Sequence, residues 1–501
     1  MANPGSSTVT PSSAKVSGFD AWFELTKRGS NLGREIRGGL VTFFTMAYII
    51  VLNPLIIGTT PDVNGNLIIG LPVSDAATHA SVGAVAAATA LIAGILTIFM
   101  GSYARFPIAL AAGLGINAVV AYTIAQKMSW TSAMGLVFWE GLIITILVFT
   151  GFRKAVFNAV PRNIRAAISV GIGLFIAFIG LVDGGIIRPA KGTPVELGIF
   201  GSLNGWPIAI FVITLLLLIV LYVKRVKGAI LIAILSGTVL AVIVQAIAGI
   251  GSKSADNPTG WMSNIPAFLG WGGVDLSLVG KAWLNPGEFF FGGLASPIGP
   301  IAVVLLVFSL LLADFFDTMG TIVAVGAEGD MLEDDGNPPH TQEILIVDSV
   351  AAMVGGLTLT SSNTSYVESA SGVGDGARTG IASITTGVAF LLAIVLAPLV
   401  NMVPAEAAAP ALAFVGFLMM SQVVHIDWTD PEEGIPAFFT IILMPFAYSI
   451  TVGIGVGFLL FVAIKAIVGK ASKVHPLLWA VAAAFLIYFV QGPILAALIA
   501  K

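Results

Sequence analysis

Apolar runs recur along nearly the whole chain, and each is long enough to cross a bilayer. A transmembrane helix needs about 20 mostly apolar residues, and helices dominate there because lipid offers no partner for a free backbone N–H or C=O group. Only 10% of the 501 residues are charged, whereas about a quarter are charged in soluble domains. The sequence therefore predicts an all-α polytopic membrane protein.

We predict fourteen membrane spans. Their expected bounds are residues 36–57, 81–101, 107–126, 132–151, 164–186, 206–223, 229–250, 299–326, 344–360, 364–380, 381–402, 408–426, 450–468 and 477–499. Residues 433–449 are apolar but short and interrupted by Pro445, which favours a re-entrant or interfacial half-helix. The first 35 residues hold no apolar segment typical of a cleaved signal peptide, so the first span should direct insertion.

Basic residues predict the orientation. Clusters at residues 27–37, 153–165 and 224–227 fall on one side of the membrane, and cytoplasmic loops are the ones enriched in Lys and Arg. We therefore expect a multi-pass protein of the cell membrane with a cytoplasmic amino terminus. Lys465, Lys470 and Lys473 fall on the opposite side in this span count, which conflicts with the rule.

Two acidic stretches inside predicted spans supply three carboxyl groups: Asp314 and Asp317 in the eighth span, and Glu368 in the tenth. A charged side chain at the centre of a bilayer costs about 2.5–3.5 kcal/mol, and such residues mark substrate or proton pathways. Thr318 and Thr321 continue the helix face of the two aspartates by their spacing. This polar stripe must face protein or water, which indicates a functional site.

The third and tenth spans depart from ordinary helix chemistry. The third opens with Pro107 and carries Gly113 and Gly115 before Asn117, and the tenth is polar and glycine-rich around Glu368. Each is the third member of a set of seven, and matching interrupted spans in two halves point to a transporter binding site. Small residues also allow close helix packing. That alternative explains the two glycines equally well but does not account for Glu368.

Other polar residues extend the list of site candidates. Asn117 offers a donor and an acceptor together, which suits the edge of a purine. A carboxyl group such as Glu368 can bond a heteroaromatic ring or carry a coupled proton. Thr45 and Tyr48 share a face of the first span, where they would line a pocket or bond the backbone. Glu140 is intramembrane, and a structural partnership explains it as well as a transport role does.

The sequence lacks the residues that several kinds of catalytic and binding site require. Cysteine is absent, and the four His residues show no metal-ligand spacing. No Gly-Lys-Ser/Thr phosphate loop or basic nucleic-acid patch occurs. An intramembrane aspartyl hydrolase would need aspartates on facing helices, whereas Asp314 and Asp317 share one. We expect no enzyme activity, cofactor, metal or nucleic-acid partner.

Four motifs occur in order along the chain. They comprise residues 38–48, 113–118, 314–321 and 368–380. Together they closely resemble the azaguanine-resistance-like (AzgA-like) purine permeases of the nucleobase:cation symporter-2 superfamily, which includes the nucleobase–ascorbate transporters. The resemblance extends from about residue 20 to the carboxyl terminus, with Ile116 in place of the family's usual Leu.

The resemblance implies an inverted repeat of seven plus seven spans. A core domain (residues 36–151 and 299–402) would move, elevator-like, against a gate domain (residues 164–250 and 408–499), after a cytoplasmic segment of residues 1–35. Spans 3 and 10 would each carry a short strand followed by a half-helix, with substrate between them and span 8. A homodimer through the gate domain also fits this architecture.

The resemblance also implies import of hypoxanthine, guanine or adenine together with protons. The implied substrate-binding residues are Gly115, Ile116, Asn117, Asp314, Asp317, Glu368 and Ser369. Asp314, Asp317 and Glu368 are the candidates for proton coupling, and either aspartate is open as the one that contacts the base. The secondary candidates are Thr45, Tyr48, Thr318, Thr364 and Glu140.

Two other kinds of transporter share this fold class. A carrier of uracil or xanthine is the first alternative. An anion transporter of the sulfate-permease type is the second. It should place basic or neutral half-helix ends at its site, so the three intramembrane carboxyl groups argue against it.

Overall fold

The computed structural model describes residues 18–150, 159–190, 192–199, 201–268, 273–333 and 336–499. Residues 1–17 of the predicted amino-terminal segment lie outside the described residues, as do Arg153 and Lys154 of the predicted basic clusters. The described part of the chain is mainly helical, with four short strands.

Nine helices make up the first half of the described chain. They are α1 (Gly18–Phe23), α2 (Leu32–Met46), α3 (Ile49–Asn53), α4 (Asp75–Phe99), α5 (Leu114–Val119), α6 (Trp130–Phe149), α7 (Arg162–Asp183), α8 (Trp206–Val223) and α9 (Ala229–Ala248). Turns of π-helix extend α3 to Gly58, α4 to Ala104 and α5 to Ile124.

Nine further helices follow in the described second half. They are α10 (Pro286–Phe291), α11 (Pro300–Glu328), α12 (Thr341–Leu357), α13 (Ser369–Gly374), α14 (Gly380–Ala393), α15 (Ala405–Met420), α16 (Pro431–Phe446), α17 (Ile450–Ile467) and α18 (Pro476–Ile499). Stretches of 3₁₀-helix extend α14 to Met402 and α15 to His425. The strands are β1 (Leu110–Ala112), β2 (Ile187–Arg188), β3 (Glu196–Leu197) and β4 (Asn363–Ser365).

Ten helices of the described residues are long and apolar enough to cross a membrane. They coincide with ten of the fourteen predicted spans, and the other four correspond to elements outside these ten. The predicted third and tenth spans are β1 with α5 and β4 with α13, the ninth is the 17-residue helix α12, and the last is α18. Residues 433–449, predicted as a half-helix, lie mostly within α16, which packs against α7 and α17.

The strands β1 and β4 pair antiparallel, with Leu110 opposite Ser365 and Ala112 opposite Asn363. The pairing continues at both ends, because Gly113 N–H donates to the Ser362 carbonyl at 2.9 Å and Tyr366 N–H donates to the Ala109 carbonyl at 3.0 Å. A non-helical backbone at membrane depth must find its partners within the protein. Each interrupted span therefore satisfies the other, and both half-helices begin side by side.

One group of helices surrounds this strand pair. In it α14 packs against α4 and α2, and α6 packs against α12 and α11. Glycines bring α4 and α14 into backbone contact, since a Cβ on Gly101 would lie 2.3 Å from the Gly380 carbonyl and one on Gly387 2.6 Å from the Gly94 carbonyl. Small residues at such crossings are typical of membrane helices, where close packing replaces the hydrophobic effect.

The remaining long helices form a second group, in which α7 packs against α15 and α16, and α8 packs against α9 and α15. Gly416 permits the closest crossing, because a Cβ there would lie 2.4 Å from the Gly173 carbonyl of α7. The two groups meet along α11, α5 and α7.

A buried carboxylate joins the start of α2 to the start of α14. Glu35 is fully buried, and its carboxylate accepts hydrogen bonds from the backbone N–H groups of Arg378 at 2.9 Å and Thr379 at 3.1 Å. The Ser30 hydroxyl donates a third bond to it. Arg378 and Thr379 directly precede α14, so Glu35 satisfies two backbone donors where the chain enters this helix.

We predict that Glu35→Ala lowers the free energy of unfolding by about 1–3 kcal/mol, the usual cost of leaving buried donors unsatisfied. Thermal unfolding of the purified protein in detergent measures this change. Asp75→Ala is the control, because Asp75 is exposed in the first turn of α4. Equal melting temperatures for the two variants would contradict a capping role for Glu35.

Candidate functional site

A cavity of about 110 Å³ lies where the two groups of helices meet. Its polar side comes from the loop before α5, from β4 and the start of α13, and from α11. Its opposite side comes from α7 and α15. The walls include Tyr48, Gly113, Leu114, Gly115, Ile116, Ile168, Ile172, Phe316, Asp317, Thr364, Ser365, Glu368, Val415 and Met419.

The amino-terminal end of α5 forms one wall of the cavity. Leu114, Gly115 and Ile116 are its first three residues, and their N–H groups have no carbonyl partner inside the helix. The first backbone bond of this turn runs from the Asn117 N–H to the Gly113 carbonyl at 2.8 Å. A helix start also carries a partial positive charge, so this wall favours a hydrogen-bond acceptor on the ligand.

Glu368 forms the facing wall, directly before α13. Its side chain is half-buried, and the Tyr48 hydroxyl donates a hydrogen bond to its Oε1. The Thr45 hydroxyl lies 3.4 Å from the Glu368 carbonyl and also bonds carbonyls of its own helix. These contacts hold the carboxyl group of Glu368 at the cavity.

The two aspartates of α11 occupy different environments. Asp317 lines the cavity and is exposed there, whereas Asp314 is fully buried and is not part of the cavity wall. The Ser362 hydroxyl donates to Asp314 Oδ2 at 3.2 Å. One helical turn thus separates a carboxyl group that a ligand can reach from one that it cannot reach directly.

Asp348 on α12, which was not among the predicted site residues, secures the tenth span. It accepts hydrogen bonds from the Ser365 N–H at 2.8 Å, from the Ser365 hydroxyl at 2.7 Å and from the Thr318 hydroxyl at 2.8 Å. These bonds tie β4 to α11 and α12. The same signal as for Asp317 was present in the sequence, since Asp348 is a carboxyl group inside the predicted ninth span.

Asn117 and Ser369 are buried supports beside the cavity. The Asn117 amide donates to Asn53 Oδ1 at 2.7 Å, and Asn53 in turn donates to the Thr89 hydroxyl at 2.8 Å. The Ser369 hydroxyl accepts the Ala109 N–H at 3.0 Å. Both side chains bond the protein itself, and neither residue lies in the cavity wall.

The structure brings together only part of the predicted site. The residues found in the cavity wall are Gly115, Ile116, Asp317, Glu368, Tyr48 and Thr364. Those found outside the wall are Asn117, Asp314, Ser369, Thr45, Thr318 and Glu140. No group of three or more His, Cys, Asp or Glu side chains within the described ranges is arranged to hold a metal ion.

The side opposite the polar wall is apolar. Ile168 and Ile172 of α7 and Met419 of α15 face the start of α5 across the cavity. The fit is close at Gly115, where a Cβ would lie 2.9 Å from Ile172 Cγ2. A flat ring could lie between these surfaces with its polar edge toward Asp317 and Glu368.

Aromatic rings occupy the space between the cavity and the carboxyl-terminal end of α7. The Tyr448 ring packs edge-on against Phe175 at 5.3 Å and Tyr122 at 6.3 Å between centroids. The Tyr122 hydroxyl donates to Asp183 Oδ2 at 3.2 Å. The cavity residues of α7, Ile168 and Ile172, lie nearer its other end, so these rings lie on the Asp183 side of the cavity.

Two solved structures share the fold of this chain. The transmembrane domain of the cyanobacterial bicarbonate transporter BicA superposes with a TM-score of 0.54 at 16% identity, covering 84% of this chain and 97% of that one. The murine anion transporter Slc26a9 in the inward-facing state gives 0.54 at 13% identity, covering 93% of this chain and 73% of that one. At these identities the comparison shows the fold, which is that of multi-pass membrane transporters.

The sequence comparisons identify the family. The permease family described as Xan_ur_permease matches residues 33–456, and the chain belongs to it. The guanine/hypoxanthine permease PbuG of Bacillus subtilis is 34% identical over 473 residues, covering 94% of this chain and 99% of the relative. The adenine permease AdeP of Escherichia coli is 33% identical over 470 residues, covering 93% and 95%. The family predicted from the four motifs is thereby confirmed.

We predict that Asp348→Ala lowers the free energy of unfolding by about 3 kcal/mol, because three buried donors lose their acceptor. Each lost acceptor costs about 1–3 kcal/mol, and relaxation of the surrounding structure reduces the total. Asp348→Asn keeps one side-chain oxygen and should lose less than half as much. Thermal unfolding of both variants measures the difference. An alanine variant as stable as the asparagine variant would contradict the support that Asp348 gives to β4.

Proposed function

We propose that this permease imports purine nucleobases together with protons. The observation that carries the proposal is the cavity itself, where the free N–H groups at the start of α5 face the carboxyl groups of Asp317 and Glu368 between apolar walls. Relatives that are named guanine/hypoxanthine permease and adenine permease support purines as the substrates.

The chemistry of the cavity suits a purine. A purine edge presents ring nitrogens and exocyclic groups that accept or donate hydrogen bonds. The N–H groups of Leu114, Gly115 and Ile116 would donate to acceptors on the base, and Asp317 and Glu368 would bond its N–H groups. The cavity of about 110 Å³ is far too small for a lipid or a peptide, which restricts the ligand to a small molecule.

Within this proposal Asp317 and Glu368 contact the base, and Asp314 does not. The support is their placement, since Asp317 and Glu368 line the cavity while Asp314 is buried behind it. Asn117 and Ser369 would then act indirectly, by holding the start of α5 and the strand pair in position.

We also propose the seven-plus-seven inverted repeat, with α16 and α17 as the last two of its elements. Helix contacts in one half have counterparts in the other. The contact of α6 with α12 corresponds to that of α14 with α4. The contact of α7 with α16 corresponds to that of α15 with α8, and the contact of α16 with α17 corresponds to that of α8 with α9.

This assignment of helices to the repeat also changes the side of the membrane on which the carboxyl-terminal lysines fall. Counting α16 as an element places Lys465, Lys470 and Lys473 on the same side as the amino-terminal basic cluster, which agrees with the positive-inside rule. Helix α18 then follows the repeat instead of completing it.

Transport would follow from movement of the helices around the strand pair against the second group. The cavity lies between the two groups, and aromatic rings lie on its Asp183 side. An elevator-like shift of the core would carry the bound base past these rings. The homodimer through the gate domain remains a prediction.

The alternatives differ in the ligand. Structural likeness to bicarbonate and anion transporters concerns the fold alone, and two carboxyl groups in the cavity wall disfavour an anion. A uracil or xanthine carrier would keep the same polar wall, so competition between bases must separate it from a purine carrier.

We predict that the protein in liposomes takes up labelled hypoxanthine, guanine or adenine when a proton gradient is imposed, and that unlabelled uracil competes poorly. Glu368→Gln should weaken purine binding at least tenfold, because a hydrogen bond to a charged group contributes about 1.5–3 kcal/mol. Glu343→Gln, at a partly exposed glutamate of α12, is the matched control.

The absence of purine uptake by the wild type, or normal uptake by Glu368→Gln, would contradict the proposal. Stronger competition by uracil or xanthine than by the purines would favour the alternative carrier.

We predict that Gly115→Ala lowers purine affinity about 5- to 100-fold, because its Cβ would lie 2.9 Å from Ile172 Cγ2 and overpacking costs about 1–3 kcal/mol. Binding measured by isothermal calorimetry tests the change. Gly320→Ala on α11 is the control, since a Cβ there meets no atom within 4 Å. Equal affinities for the two variants would show that the base does not lie against α5.

A further inference from the structure

Behind the cavity, Glu140 of α6 faces Asp314 of α11. Both residues are fully buried, and neither lies in the cavity wall. The two helices pack against each other, and the two carboxyl groups interact across this contact. No donor from the described residues reaches either oxygen of Glu140 or Oδ1 of Asp314. Within the described part of the chain, the one hydrogen bond to the pair from outside comes from the Ser362 hydroxyl to Asp314 Oδ2.

The surroundings of this pair are acidic. Asp348 on α12 and Asp317 on α11 are its nearest further charges, and Glu288 on α10 bonds the Ser129 hydroxyl instead. No Lys, Arg or His of the described residues forms an ion pair with Glu140 or Asp314. Arg165 of α7 lies over the Phe316 ring, nearly opposite Asp314 around α11.

Two ionised carboxylates cannot donate to each other, and like charges in contact at low dielectric cannot both persist. A proton between them removes the repulsion and provides the missing donor. We propose that the Glu140–Asp314 pair binds the transported proton, at a site separate from the carboxyl groups that contact the base. This inference rests on the proposed proton-coupled purine transport.

Binding and release of the proton each change the charge of the pair by one unit. In the occupied state one O–H bond on either residue donates to the other carboxylate, and the pair carries one negative charge. Release breaks that O–H bond and gives the proton to water, and the pair then carries two negative charges. Because such a pair cannot persist in contact while it is buried, release belongs to a state of the transport cycle in which water reaches the two carboxyl groups. A metal ion is a poorer occupant, because Asp348 directs its oxygens to Ser365 and Thr318.

The pair is connected to the ligand site by short contacts. Asp314 bonds the Ser362 hydroxyl, and Ser362 directly precedes β4, the strand that leads to Glu368. Asp314 also stands one turn from Asp317 on the same helix. A change in charge at the pair would therefore act on both walls that hold the base.

Glu140→Gln tests the inference in liposomes, because the Gln amide can still donate to Asp314 but leaves no proton to exchange. A pH gradient of one unit is worth about 1.4 kcal/mol per proton and so drives up to about tenfold accumulation of purine. We expect this ratio to fall to about one in Glu140→Gln, while purine binding and exchange at equal pH stay within about twofold of the wild type.

Glu406→Gln is the matched control, because Glu406 is also a fully buried carboxyl group with one unpaired oxygen but lies on α15, away from the pair. It should accumulate purine as the wild type does. Accumulation by Glu140→Gln at the wild-type ratio would overturn the inference. Wild-type uptake that a pH gradient leaves unchanged would overturn the proton coupling of the proposed function, and the inference with it. Absence of any purine uptake by the wild type would instead overturn the proposed function.

A second measurement applies if Glu140→Gln does not fold. Difference infrared spectroscopy of the wild type should show the band of a protonated carboxyl group that disappears when external pH is raised. The same band should shift in Glu140→Asp. A wild-type spectrum without such a band would overturn the inference.

Discussion

The antiparallel pairing of β1 with β4 is the interaction on which the site depends. Each strand interrupts a membrane span, and an interrupted span exposes backbone groups that lipid cannot satisfy. The two strands satisfy each other, with Ala111 opposite Thr364 at the centre of the pair. The helix start at α5 and the carboxyl group of Glu368 are consequently held on either side of one cavity. Neither broken segment would be tolerable at this depth without the other.

Around the strand pair, polar groups fall into two classes by their partners. Asp348 and Asn117 bond other protein groups and hold the backbone in place. Asp317 and Glu368 point at the cavity, where a ligand can complete their bonding. Burial of a polar group is costly unless it is bonded. The first class therefore stabilises the arrangement, whereas the second class is available to bind a ligand. Glu140 and Asp314 fit neither class, since each has mainly the other as partner.

Much of the fold could be predicted from the sequence. Ten predicted spans coincide with long apolar helices of the described chain, because hydropathy and length are local properties. The site was predictable in its residue types but not in its geometry. Spacing places Asp314 and Asp317 on one stripe, yet only Asp317 reaches the cavity. Like Asp314 and Asp317, Asp348 is a carboxyl group inside a predicted span. The three groups that donate hydrogen bonds to it belong to residues distant in sequence or on another helix.

The sequence by itself determined that this is a polytopic membrane protein, that its carboxyl groups are functional candidates, and which family it belongs to. These conclusions rest on the energetics of single side chains in lipid and on local motifs. Only the tertiary structure decided which polar groups share a cavity, which are satisfied by the protein, and which face each other. Those outcomes depend on contacts between α6, α11, α12 and the strand pair, and the sequence spacing within any one helix does not contain them.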